Sequence, residues 1–193
     1  MSTLISALPF QHQVLLAALT CEKILPLYAA FTEAESWGSF GVLQQATSAL
    51  FDFAINDTLI DTDAIQGKLA AVVPDLDECS SELASYALDA CTALSEALLF
   101  IETRSYTYLQ QHLTAVTDCI DMFVQMHRDL DPNQPDLDVI ITADPYMQQE
   151  LTRRETLVVA LHQVPTLTSE LLEHLRQLNG TEPLVRLEML PLS

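Results

Sequence analysis

Lysine is nearly missing from this chain. Lys23 and Lys68 are its two lysines, and Lys and Arg together number 8 against 27 Asp and Glu, a net charge of −19. Phosphate backbones are held by clustered cations that release counterions. The shortage therefore argues against a nucleic-acid groove and against an anionic lipid surface. Arg153-Arg154 is the nearest thing to a cluster, and two adjacent arginines do not make a groove. Glycine is scarce too: Gly38, Gly41, Gly67 and Gly180 complete the set. A Walker loop, a dinucleotide-binding glycine pattern and a G-x-S-x-G elbow each need glycine at fixed spacing, and none occurs. Cys21, Cys79, Cys91 and Cys119 contain no C-x-x-C pair and no neighbouring His pair, so they read as free thiols behaving as small hydrophobes. The longest unbroken apolar run, Val14 to Leu19, is far below the ~20 residues of a bilayer span. Met1 to Phe10 holds no Lys or Arg, so the positive region of a secretory signal is missing. The expectation is a cytoplasmic chain with no membrane and no nucleic-acid partner.

What is present is apolar material. The chain is 49% hydrophobic at an isoelectric point near 4.2. Acidic disordered tails are poor in apolar residues; this chain has enough to form a core, with its carboxylates outside. A single helical domain over residues 1–193 follows from the length.

Periodicity supplies the class, all-α, as a bundle of six to seven mostly antiparallel helices. Phe10, Val14, Ala17, Cys21, Ile24, Tyr28 and Phe31 recur at three and four along a first helix that is apolar nearly all round, as central helices are. Pro26 removes one of its hydrogen bonds and is expected to kink or split it. A second helix is predicted over Trp37 to Ile55, and a third from an Asp61 or Thr62 cap to Val73, stopped by Pro74. The fourth, Ser81 to Glu102, carries the stripe Leu83, Tyr86, Ala87, Ala90, Leu94, Leu98 and Ile101. The fifth, Ser105 to Arg128, carries a heptad seam including Leu109, Leu113, Val116, Ile120, Phe123 and His127. Residues 129–143 form an Asp- and Pro-rich internal loop in which Val139-Ile140-Ile141 is expected to be a short extended piece. Asp144-Pro145 opens a sixth helix to Gln163, since Asp suits the cap and Pro the first turn. A seventh, Leu167 to Leu178, stops at Asn179-Gly180. The apolar tail 181–193 is expected to dock on the bundle.

Chemistry in such a chain must come from carboxylates. Glu82, Asp89 and Glu96 are spaced by seven along one strip of the fourth helix; Asp118 and Asp121 share a face of the fifth. Facing carboxylates of two helices hold divalent metals in some bundles, whereas acidic residues more commonly form a solvated face. Glu22 differs, because Leu15, Ala18, Leu19, Leu25 and Ala29 surround it. A carboxylate there is expected to pair with Arg104, Arg128 or a helix end, or to carry a raised pKa. Dedicated metal motifs are missing: no Glu precedes a His by three, and H-E-x-x-H is not found. Glu170 and Glu173 form an E-x-x-E pair without a downstream E-x-x-D. Asp129, Asp131 and Asn133 begin like a calcium loop that fails at Gln134 and Ile140. His112 lies two turns from Cys119, and His127 reads as a core histidine.

Cys21-Glu22-Lys23, followed by Pro26, Tyr28 and Phe31, resembles the first-helix signature of the YjaG-like bacterial proteins. Asp89-Ala90-Cys91, followed by Ala93-Leu94-Ser95-Glu96, is similar to that family's central-helix signature. The resemblance spans roughly residues 8–180 and implies an all-helical protein of about this length. It points at Glu22, Asp89 and Glu96 and brings no activity and no cofactor. The leading expectation is a non-catalytic interaction or regulatory domain, homodimeric through its surplus apolar seams. The alternative is a divalent-metal-dependent enzyme with Glu22, Asp89, Glu96, Asp118 and Asp121 converging. A third reading is an acidic mimic of nucleic acid.

Overall fold

The computed structural model describes residues 1–189. The described residues form nine α-helices, a closing 3-10 turn at Leu187–Met189, and no strand. The helices are α1 (Ser2–Ser6), α2 (Phe10–Glu35), α3 (Phe40–Asn56), α4 (Thr62–Ala70), α5 (Leu83–Thr103), α6 (Tyr106–Arg128), α7 (Leu137–Ala143), α8 (Pro145–Gln163) and α9 (Ser169–Asn179). The all-α class stands, and the seven longer elements are the seven expected. Helices α1 and α7 are additional.

The central helix is α2. An unbroken run from His12 to Cys21 is buried, because α3 and α5 pack against α2 while α6 and α8 also reach it. Helices α5 and α6 form a hairpin joined through Arg104 and Ser105, and their two apolar seams face each other. Leu83, Tyr86, Ala90, Leu94 and Leu98 meet Leu109, Val116, Ile120 and Phe123 in one continuous core. The seams that suggested a second copy are therefore covered within the chain. By length and composition α2 and α5 would also suffice to cross a membrane; here most of each is buried among the other helices.

Two local expectations are corrected. Helix α2 continues through Pro26 and is not split. Pro26 lies on the exposed side, beside a groove that Glu22 also borders, so the hydrogen bond it removes is lost on the face away from the core. Val139-Ile140-Ile141 is helical, within α7. No neighbouring strand exists among the described residues to pair with an extended piece. Leu137, Ile140 and Ile141 instead lie three and four apart and turn to the protein, leaving Val139 70% exposed.

Caps set the remaining boundaries. Asp61 accepts from the Ala64 N–H at 3.0 Å, and Asp144, with Pro145 in the first turn, accepts from the Tyr146 N–H at 2.9 Å. Asp144 also receives Arg128 Nε at 3.1 Å, which joins the end of α6 to the start of α8. Gly180 ends α9 with φ 73°, a left-handed value that glycine adopts without strain. Beyond it the tail docks as expected, with Leu184 and Val185 buried. Its last four residues, 190–193, lie outside the described residues.

Candidate functional site

Four of the chain's eight cations lie where α2, α8, α9 and the tail meet: Lys23, Arg153, Arg154 and Arg176. Glu150 joins two of them. It is 3% exposed and accepts from Arg153 Nε at 2.6 Å, Arg153 Nη2 at 2.5 Å and Arg154 Nη2 at 3.1 Å. Helical geometry brings these groups together, since residues three and four apart are neighbours on one face. Arg153 Nη1 donates to Asn179 Oδ1, and Asn179 Nδ2 donates to the Leu19 carbonyl at 2.9 Å. Arg154 Nη2 reaches Thr117 Oγ1 at 3.3 Å. One buried network thus binds α8 to α9, α2 and α6. Lys23 Nζ donates to the carbonyls of Gly180, at 3.0 Å, and Glu182, holding the tail. Burial, reinforced by the Arg153 charge, pushes the Lys23 pKa down.

Glu22 pairs with Arg176 of α9 at 2.6 Å, a partner not among those expected. The pair is half-buried, with side-chain exposures of 28% for Glu22 and 38% for Arg176. The expected partners Arg104 and Arg128 are engaged elsewhere: Arg104 lies over the Phe10 ring and Arg128 binds Asp144. Glu22, Lys23, Pro26, Arg176 and Glu182 border an open groove of about 290 Å³. Its charges are already answered within the chain, so this junction is an electrostatic clamp, not a free anion site.

Asp89 makes a second locus. It faces α6, where the buried Cys119 Sγ donates to its Oδ2 at 3.3 Å. Burial pushes the Asp89 carboxyl up to about 6, partly offset by that thiol and aided by the Asp118 charge. Asp118 is exposed and is itself raised by desolvation and by Asp121. Asp121 accepts from Gln125 Nε2 at 2.5 Å. Asp89, Asp118 and Asp121 thus share a region between α5 and α6, in which Asp89 alone is held by the partner helix.

Glu96 lies apart from both. With Gln66, Leu69, Ala70, Val73, Cys91, Thr92 and Ser95 it lines a cleft of about 290 Å³ between α4 and α5. Its Oε2 is shut away from solvent without a hydrogen-bond donor, and burial raises its pKa. The five candidate carboxylates therefore fall at three separate places. No group of three His, Cys, Asp or Glu able to hold a metal ion occurs among the described residues. A spacing of seven already implies this for α5, since two helical turns separate such residues by about 10 Å.

Glu150 was not among the expected site residues, and Arg153-Arg154 matter here as a buried pair, not as a surface cluster. The E-x-x-R-R spacing was a readable signal, because it places one carboxylate beside both guanidinium groups. Glu173 of the E-x-x-E pair binds Arg176 at 3.3 Å. His127 is half-buried and stacks on Phe123 with ring centroids 5.4 Å apart. His112 is wholly buried, its Nδ1 2.7 Å from the Ala93 carbonyl, and burial depresses its pKa to about 4. Cys21, Cys91 and Cys119 are free and buried, as expected.

Comparison with known proteins agrees with this fold. No curated protein matches the chain. The crystal structure of a DUF416 family protein from Shewanella baltica OS155 aligns with a TM-score of 0.83, at 22% identity, over 92% of this chain and 91% of that one. At that identity the likeness shows the fold alone. The family expected from the two signatures is an uncharacterised all-helical one, and so is the family found, though the YjaG name itself gains no support. The family model described as "Protein of unknown function (DUF416)" matches residues 2–182, and the chain belongs to that family.

Proposed function

We propose that this protein is a non-catalytic interaction domain whose acidic exterior receives a basic protein partner. One observation carries the reading: the chain consumes its own cations. Lys23, Arg153 and Arg154 are buried, Arg128, Arg176 and Arg186 pair with carboxylates, and Arg104 covers Phe10. Lys68 is left exposed on α4. The exterior therefore carries far more carboxylates than cations, and the net charge of −19 faces outward. Such a field accelerates encounter with a cationic surface and repels a second copy of the same chain.

Carbodiimide cross-linking in cells, with the linked peptides mapped, tests this. Carboxylate-to-amine coupling suits a chain with two lysines, of which one is buried. The expected product joins surface Asp or Glu to lysines of a basic protein, in a complex that dissociates as salt rises from about 0.1 to 1 M. A chain that stays unlinked in cells, with no salt-sensitive basic partner, overturns the proposal.

A further inference from the structure

The α4–α5 cleft combines features that the buried clamp lacks. Glu96 on its α5 wall has one oxygen enclosed by protein and given no donor, and no ion pair reaches the carboxylate among the described residues. A carboxylate solvated on one side only is held at a disadvantage that a cation on the open side relieves. Gln66 does not fill that role. Its Nε2 donates to the Ser95 carbonyl at 2.9 Å, and its Oε1 accepts from Ser95 Oγ at 2.9 Å, so the two side chains lock each other as a fixed polar wall. Leu69, Ala70, Val73 and Cys91 supply an apolar wall beside it.

One carboxylate without a second acidic ligand is a poor site for a divalent metal, which collects several oxygens. A single anion beside an apolar wall instead matches a monovalent ammonium on a hydrocarbon stem. The volume of about 290 Å³ stands at the lower end of small-molecule pockets.

We infer that the α4–α5 cleft binds an alkylammonium group, with the ammonium on the Glu96 carboxylate and the methylene stem along Leu69, Ala70 and Val73. The lysine side chain of a basic partner supplies that group, a choice of source that rests on the proposed function. The binding chemistry itself stands independently of it.

The test is methyl NMR of the whole chain, titrated with n-pentylamine as the lysine-stem mimic and with 1-pentanol as the uncharged control. A capped pentapeptide with one central lysine forms a third arm. Saturable shifts of the Leu69 and Val73 methyls with pentylamine, not matched by pentanol, are expected. Glu96→Gln should weaken them at least about tenfold, the loss of one charge-assisted contact. Ala70→Phe, which fills the cleft from the α4 wall, should abolish them and serves as an independent variant should Glu96→Gln fail to fold. No saturable shift, or equal binding by pentanol, overturns the inference. Shifts with the amine but not the peptide uphold the cleft and remove its lysine source, which counts against the basic-partner reading. Salt-sensitive peptide binding that leaves both methyls unmoved does the reverse.

Discussion

Removal of the Glu150 carboxylate is the most demanding test of the physical picture. Glu150 answers two guanidinium groups, and all three side chains are buried. In Glu150→Ala the Arg153 and Arg154 charges remain enclosed without a counterion. Breaking a buried pair in this way costs about 3–5 kcal/mol. For a chain of this size each kcal/mol lowers Tm by about 2–4 °C, so the drop should be roughly 6–20 °C. Thermal melts followed by circular dichroism measure the drop, and urea unfolding measures the free energy. The comparison that matters is the triple variant Glu150→Leu, Arg153→Met, Arg154→Leu. Replacement of a whole buried ion cluster by apolar residues of similar volume is often neutral or stabilising, so the triple variant should recover most of the loss. Recovery should be incomplete, because Asn179 Oδ1 loses its donor. A loss below about 1 kcal/mol for Glu150→Ala, or a triple variant as unstable as the single one, would refute the argument that uncompensated charge dominates here.

Other substitutions address separate claims. Asp89 titrates near 6 in the folded chain, so the stability it confers is fully present below its unfolded pKa of about 3.8 and is lost as pH rises through 6. His112, depressed to about 4, acts oppositely, removing stability as pH falls from about 6.5 to 4. Asp89→Asn should therefore stabilise the protein at pH 7 by about 1–2 kcal/mol after allowance for partial exposure. It should also leave a profile that declines towards acid, and urea midpoints from pH 4 to 7 that fail to separate the two proteins would count against this. Glu22→Gln should cost about 1 kcal/mol or less and lose even that at high salt, since the Arg176 pair is only half-buried. A loss as large as that of Glu150→Ala would show the pair to be structurally central. Gly38→Ala forces a side chain onto φ 86° with its Cβ 2.5 Å from Tyr28 Oη, and thermal melts should show a loss of about 1–3 kcal/mol. An unchanged midpoint would mean that this loop relaxes freely.

Helix existence was legible because burial here follows periodicity. The stripe from Leu83 to Ile101 is buried throughout, and the caps at Asp61, Asp144 and Gly180 act where their residue types suggested. Of the two outcomes expected at Pro26, the split does not occur, because the residue lies on an exposed face bordered by α9 and the tail, far away in sequence. Val139-Ile140-Ile141 misled because three β-branched residues in a row favour extended backbone locally, while the spacing to Leu137 decided for a helix. The candidate carboxylates were chosen by helical face, which says nothing about separation along the axis or about partners on other helices. Hence pairing was one of the two outcomes expected for Glu22, yet the Arg176 that supplies it lies 154 positions away and leaves no local trace.

The hydroxyl of Tyr28 has a role beyond filling the core. It donates to the Val72 carbonyl at 2.7 Å and accepts from the Ser39 N–H at 3.4 Å, so the connections α2–α3 and α4–α5 meet at one atom. Seven residues further along α2, Glu35 repeats the tie, accepting from the N–H groups of Ser80 and Ser81. Neither connection can lift away without breaking a hydrogen bond to α2, so both should share the hydrogen-exchange protection of the central helix. Because Val73 follows directly on the tethered Val72, the far wall of the Glu96 cleft is anchored to the central helix. A disturbance at Tyr28 would then be felt as a change in the width of a site it never touches.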